Sequence, residues 1–224
     1  GGRTRYGLGF LYCSYASHYL LLFFMLYFVL RKQVRLYEVG SLLVLNIAGY
    51  AVTDTKTDMI SLAMMLAVML VLKGFEKKER IRRWISYLAF LVPFFFCGVS
   101  MFVGQMYRSD SPVWQKMDAV LNNRLWLSAQ ALEIYPIPLF GQKIKWVGGS
   151  AKLKNPDLVY NYVDNNYITV VLQMGVLFAF FMCLFYGRAA YAAIRDGKIA
   201  LAAALIVFMV VGLVNPEMRN LLYN

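Results

Sequence analysis

Charged side chains are scarce in this sequence, and so are the residues that build disulfide frameworks and most metal sites. Only 16% of the 224 residues are charged, and the chain has one histidine and three cysteines. Cys13, Cys97 and Cys183 lie inside apolar runs without metal-type spacing, so they are predicted to be packing residues. With 60% hydrophobic residues, this composition excludes an ordinary soluble domain and favours a membrane protein.

Long apolar runs dominate what remains. A helix needs roughly 20 mostly apolar residues to cross a hydrocarbon core about 30 Å thick, and less apolar flanks extend short spans. The middles of the candidate runs lack Asp, Glu, Lys and Arg, which argues against an ion-coupled transporter. We predict an all-α integral membrane protein, a polytopic bundle of about six transmembrane helices at residues 7–30, 37–53, 58–75, 84–106, 166–187 and 199–214.

The start of the chain has no charged region followed by an apolar region and a cleavage site, so no signal peptide is expected. The chain begins with Gly1 rather than Met and stops shortly after an apolar run. We therefore expect a single polytopic membrane domain over residues 1–224 that is the C-terminal fragment of a longer protein.

The net charge of +11 is concentrated in alternate loops. Lys and Arg are frequent in "RKQVRLYE" (31–38), "KGFEKKERIRR" (73–83) and "GRAAYAAIRDGK" (187–198). Cytoplasmic loops carry this excess, whereas a long loop is translocated largely regardless of its charge. The N-terminus, the "TDTKTD" turn, the large loop at 107–165 and the C-terminus are thus predicted to face outward. After this assignment no basic stripe remains for nucleic acid.

The large outer loop has two parts. Its first half places apolar and small residues at spacings of three and four, which predicts one amphipathic helix that ends before Pro136. Its second half is rich in Gly, Pro and Lys and is predicted to be irregular. The spacing residues of the helix are Trp114, Met117, Leu121, Leu125, Ser128 and Leu132.

Polar residues collect at the outward ends of the predicted spans. Each one alone is typical of a solvated flank or a helix cap. Together, several guanidinium groups on one face can bind a lipid diphosphate by paired, charge-assisted hydrogen bonds. The candidate binding residues are Arg3, Lys56, Arg108, Asn165, Asn166 and Arg219, and Arg5, Arg124, Asp164 and Glu217 stand at the same outward ends.

The order of several short motifs resembles the bacterial O-antigen and capsular polysaccharide polymerases, a family that includes the O-antigen ligases. These motifs are "TRYGLGF", "TDTKTDMISLAMMLAVMLVL", "NNRLWLSAQALEIYPIPLFGQKI", "VDNNYITVVLQMGVLF" and "GLVNP". The resemblance implies a metal-independent membrane glycosyltransferase of the C type, without a cofactor, in the bacterial cytoplasmic membrane. Its extracytoplasmic active site would transfer a growing glycan from undecaprenyl diphosphate to a lipid-linked repeat unit.

By this resemblance, Arg5 and Arg124 match arginines of the family motifs, and Asp164 and Asn165 match the polar pair at the head of a span. Three motifs depart from the family. "LYCSYASH" replaces a His-Pro-Asn element, "DTKTD" replaces a Ser-Arg pair, and Asp164 stands where the ligases have histidine. The last difference favours a polymerase.

In the expected mechanism the arginines stabilise the departing diphosphate. Asp164 is the first candidate for the base that activates the sugar hydroxyl, and Glu217 is the second. The expected partners are lipid-linked glycans, the bilayer, a flippase and a chain-length regulator.

Three alternatives remain open at the level of sequence. A ligase would transfer the glycan to a different acceptor. A lipid-linked sugar transporter would need charged or hydrated groups deep in the membrane. A structural subunit of a wall-assembly complex would tolerate the loss of Arg124.

Overall fold

The computed structural model describes residues 13–31, 36–53, 56–148 and 155–215, with the backbone alone at 13–18, 36 and 58. The regular secondary structure of these residues is helical, and they form no strand, as predicted. The helices are α1 (Cys13–Leu30), α2 (Leu36–Thr53), α3 (Lys56–Phe75), α4 (Glu79–Met106), α5 (Pro112–Val120), α6 (Arg124–Ile134), α7 (Asn166–Met174), α8 (Val176–Arg195) and α9 (Ile199–Val211).

Two of these helices, α4 and α8, are long and apolar enough to cross a membrane. Only 22% of the apolar window of α4 and 33% of that of α8 is buried within the protein, whereas the core helix of a soluble protein is mostly buried. Side chains such as Phe95, Phe102 and Phe185 are more than half exposed. Apolar surface on this scale is typical of helices that contact lipid. The apolar stretches Tyr19–Leu30, Met59–Phe75 and Ile199–Val211 are shorter.

The chain divides into two compact units. Unit 1 contains residues 1–89 and 189–207, and unit 2 contains residues 90–188 and 208–224. In unit 1, α1, α2 and α3 pack against one another. The amide of Asn46 on α2 donates to the carbonyl of Met59 on α3, an interhelical hydrogen bond of the kind that stabilises helices in lipid.

Unit 2 has its core where α6, the following loop and α7 meet. Ala131, Ile144, Val163, Ile168 and Leu172 are buried there as one apolar cluster. The cluster attaches the second half of the large loop to α7, although the loop has no regular structure between residues 136 and 148. The predicted irregular conformation is therefore confirmed in the described part of this half.

The predicted single helix of the large loop is wrong. The segment forms α5 and α6, separated by a turn in which Asn122 and Asn123 have positive φ angles of 53° and 62°. Asparagine tolerates this left-handed region better than most residues, so the Asn-Asn pair allows the chain to turn. The end of α6 at Ile134, two residues before Pro136, agrees with the prediction.

The predicted continuous helix at 166–187 is also wrong, because the chain breaks at Gly175 between α7 and α8. Gly175 has a φ of 93°, and a Cβ atom there would lie 2.6 Å from the carbonyl oxygen of Leu139. Glycine is required for two reasons. A side chain would clash with the backbone of Leu139, and the positive φ is a strained conformation for any other residue. The segment long enough to cross a membrane thus begins at Val176 rather than at Asn166.

Candidate functional site at the start of helix α7

The turn between α5 and α6 is held by a buried carboxylate. Asp118 is 4% exposed, and its Oδ1 atom accepts hydrogen bonds from the backbone N–H groups of Leu125 (2.9 Å) and Trp126 (3.2 Å). Its Oδ2 atom accepts from the Tyr107 hydroxyl at 3.3 Å, just beyond the end of α4. Asp118 thereby satisfies backbone groups that a helix N-terminus leaves unpaired and fixes the start of α6.

This start of α6 places Arg124 beside Asp164. The Arg124 Nε atom donates to Asp164 Oδ2 at 3.0 Å, across 40 residues of chain. The two side chains are 27% and 24% exposed, so the ion pair is partly withdrawn from solvent. The Nε atom of the guanidinium makes this bond, which is charge-assisted on both sides. Two predicted catalytic residues are thus adjacent.

Asn165 follows this pair as the N-cap of α7. Its Oδ1 atom accepts from the backbone N–H of Ile168 at 3.2 Å, and its Nδ2 atom donates to Ser100 Oγ on α4 at 3.0 Å. Asn165 therefore caps α7, and its predicted role in substrate binding stays a prediction. Because both ends of the amide are engaged within the protein, Asn165 sets the position of α7 relative to the end of α4.

Asn166 differs from its neighbour because its side-chain amide is buried without a partner among the described residues. The residue is 0% exposed, and neither Nδ2 nor Oδ1 forms a hydrogen bond there. Its backbone N–H donates to the carbonyl of Gly212 at 2.8 Å, which attaches α7 to the end of α9. An unpaired buried amide costs about 1–3 kcal/mol, so this position favours a polar partner.

Tyr160 lies within electrostatic range of the ion pair. Burial raises the pKa of its phenol, the Asp164 carboxylate and Tyr162 raise it further, and Arg124 partly opposes them. The phenol therefore stays protonated at neutral pH and keeps its hydrogen-bond donor. Spacing in the sequence does not place Tyr160 near Asp164, and only the fold brings the two together.

The break between α7 and α8 is closed by the loop that follows α6. The backbone N–H groups of Val176 and Leu177, at the start of α8, donate to the carbonyls of Pro138 (3.0 Å) and Leu139 (3.2 Å). Gln142 donates its backbone N–H to the carbonyl of Gln173 and its amide to that of Leu172. A helix broken in an apolar environment must satisfy these groups internally, and this loop does so.

The remaining predicted site residues are not all described. Arg108 is exposed in unit 2, between α4 and α5, and Lys56 is exposed in unit 1 as the first residue of α3. Four predictions fall outside the described residues, namely those for Arg3, Arg5, Glu217 and Arg219. No cluster of three or more His, Cys, Asp or Glu side chains suited to a metal occurs in the part of the chain that the structure describes.

Sequence reasoning missed Asp118, Ser100 and Gly175, which position the site without standing in a recognised motif. The Asn-Asn pair before Arg124 and the glycine inside an apolar run were the available signals. Comparisons with protein-family models, with curated proteins and with solved structures give no match for this chain.

Proposed function

We propose that the protein is a membrane glycosyltransferase that polymerises lipid-linked glycans on the outer face of the bacterial cytoplasmic membrane. The growing glycan is transferred from undecaprenyl diphosphate to the sugar of another lipid-linked repeat unit. The observation that carries this proposal is the hydrogen-bonded pair of Arg124 and Asp164 at the head of α7. The order of the sequence motifs supports the same assignment.

The reaction breaks the bond between the anomeric carbon and the diphosphate oxygen, which leaves with the bonding electrons. The acceptor hydroxyl forms the new glycosidic bond and loses its proton. In the proposal, Arg124 stabilises negative charge on the departing oxygens through its Nη edge, with Arg5 as a second cation. Removing one well-placed donor of this kind lowers the rate by about 10²–10³.

Asp164 has two tasks in this mechanism. Its Oδ2 atom holds the Arg124 guanidinium in one orientation, and its carboxylate is the candidate acceptor for the hydroxyl proton, with Glu217 as the second candidate. Asn166 remains a candidate for holding a sugar hydroxyl, although its amide is fully buried and has no partner among the described residues. Arg3, Lys56, Arg108 and Arg219 remain candidates for binding the two lipid diphosphates.

The proposed membrane arrangement has six spans. It treats α1, α2, α3 and α9 as crossing the bilayer together with α4 and α8, and α7 as a half-helix on the outer side. The orientation rests on the basic loops, which favour the cytoplasm. The large loop containing α5 and α6 then faces outward, where lipid-linked repeat units are polymerised.

The break at Gly175 favours a transporter instead, because transporters often bind substrates at broken helices. In those proteins the free N–H groups of a half-helix point at the substrate. Here the N–H groups of Val176 and Leu177 are bonded to loop carbonyls. The break therefore serves the folding of the loop onto α7, and transport remains the weaker proposal.

The test is glycan transfer by the purified protein supplied with its native lipid-linked repeat units, followed by gel separation. The wild type should produce a ladder of lengths, and Arg124→Ala should reduce transfer at least about 100-fold. Arg124→Lys should fall in between, since ammonium lacks the planar fork. Lys116→Ala, an exposed cation on α5, is the matched control and should behave as wild type.

Thermal unfolding of each variant separates loss of chemistry from loss of fold. One product of a single length on a different acceptor would establish the ligase alternative. A folded wild type that transfers no glycan would overturn the proposal in favour of a transporter or an assembly subunit.

A further inference from the structure

Unit 1 contains an amphipathic pocket that the proposed reaction does not use. Leu72, Phe75, Ile85 and Ile194 form its apolar wall, and Glu76 and Arg82 supply its polar groups. The space among them is shallow and partly open to the surroundings. The pocket thus has an ionic part and an apolar part side by side. A phospholipid has the same arrangement, with a polar headgroup next to the start of its acyl chains.

The pocket lies beside the ends of both long apolar helices. Arg82 and Ile85 belong to the first turns of α4, and Ile194 belongs to the last turn of α8. The ends of spans lie at the interface between hydrocarbon and water. The pocket is therefore at the depth of phospholipid headgroups, among the basic loops that the charge distribution assigns to the cytoplasmic side.

Two arginines in this region keep buried N–H groups without a partner among the described residues. They are Nε of Arg82, which lines the pocket, and Nη1 of Arg195, whose neighbour Ile194 lines it. Leaving a buried charged donor unpaired costs more free energy than leaving a neutral group unpaired. Arg82 lines the pocket itself, and Arg195 follows a lining residue at the end of α8.

We propose that this pocket binds the headgroup of an anionic glycerophospholipid, of the phosphatidylglycerol type, from the cytoplasmic leaflet. The two guanidinium groups and the Glu76 carboxylate leave one positive charge, which matches a single phosphodiester. The phosphate oxygens accept hydrogen bonds from Arg82 and Arg195, and the headgroup hydroxyls donate to Glu76. Basic pockets between transmembrane helices on this side of a membrane recognise anionic headgroups in this way.

The test measures lipid binding to the delipidated full chain in detergent by native mass spectrometry. Phosphatidylglycerol should bind at least about tenfold more tightly than phosphatidylcholine with the same acyl chains. Its headgroup hydroxyls can donate to Glu76, whereas the choline group of phosphatidylcholine has no hydroxyl and carries a positive charge. Arg82→Met, which keeps an apolar stem, and Arg195→Met should each lower the affinity for phosphatidylglycerol about tenfold or more.

The matched control is Arg83→Met, since Arg83 is exposed and pairs with Glu79 on α4 at 3.7 Å. It should leave lipid affinity unchanged. Equal affinities for the two lipids, or unchanged affinity in both arginine variants, would refute the proposal. Displacement of the lipid by inorganic phosphate alone would assign the pocket to a free anion instead. None of these outcomes depends on glycan transfer, so the two proposals fail separately.

Discussion

At the scale of single residues, the ion pair of Arg124 and Asp164 is the most consequential contact. Each partner is about one quarter exposed, so solvent screens the pair only in part. Exposed pairs contribute about 0.2–1 kcal/mol, and hydrogen bonds to charged groups contribute about 1.5–3 kcal/mol. Because the pair is partly exposed, we expect its contribution to the free energy of unfolding to lie near the lower of these two ranges.

We therefore expect a coupling of about 1 kcal/mol between Arg124→Ala and Asp164→Ala in a double-mutant cycle of unfolding free energy. In the proposed mechanism the pair acts on the transition state, so the effect on glycan transfer should be much larger than this effect on stability. The cycle is measured by denaturant unfolding alongside glycan transfer. Additive stability effects would show that the contact does not persist in solution.

Asp118 lies outside the proposed reaction but fixes the position of Arg124, which the proposal assigns to it. Asp118→Ala should lower the free energy of unfolding by about 2 kcal/mol, since it leaves the N–H groups of Leu125 and Trp126 unpaired. Amide hydrogen exchange at these two positions should accelerate. Glycan transfer should fall because the start of α6, which carries Arg124, is no longer held in place. Asp110→Ala, at an exposed acid of the same loop, is the control and should change neither quantity.

At the scale of elements, the loop after α6 and the two helices α7 and α8 form one hydrogen-bonded assembly. The loop supplies acceptors to the start of α8 and donors to the end of α7. Since α7 also carries Asp164 and Asn165 at its head, the loop indirectly positions the site.

Gly175→Ala should destabilise this assembly strongly. The new Cβ would lie 2.6 Å from the Leu139 oxygen, and the positive φ adds strain of about 1–3 kcal/mol. We expect a large drop in the melting temperature and faster proteolysis within the 136–148 loop. Gly98→Ala on α4 is the matched control, because nothing lies within 4 Å of a Cβ there and alanine favours a helix. Equal effects of the two substitutions would contradict a tight packing at Gly175.

At the scale of the whole molecule, the proposed topology makes opposite predictions for two exposed lysines. Lys116 lies on α5 after the end of α4, and Lys77 precedes its start. In a variant whose native cysteines are replaced by alanine, a membrane-impermeant maleimide should label Lys116→Cys in intact spheroplasts. It should label Lys77→Cys only after permeabilisation. Labelling of both from outside would show that α4 does not span the membrane.

Much of the secondary structure was predictable because its causes are local. Apolar composition predicted the helical character, Pro136 marked the end of α6, and an asparagine before an apolar run marked the cap of α7. The buried amide of Asn46 and the half-buried amide of Gln173 form hydrogen bonds between segments, as isolated polar groups in apolar runs commonly do. The two helix breaks were missed because the spacing of apolar residues carries no information about backbone conformation. Asn and Gly adopt positive φ angles more readily than other residues, and both breaks occur at such residues.

The sequence by itself determined where the chain is apolar, where its charge lies and which polar residues stand at the predicted outward ends, because composition and helical periodicity depend on neighbours in the chain. Only the tertiary structure decided that Arg124 meets Asp164 across 40 residues, that Asp118 fixes this encounter and that a loop closes the break at Gly175. The physical reason is that ion pairs and buried backbone groups are satisfied by whatever the fold brings to them.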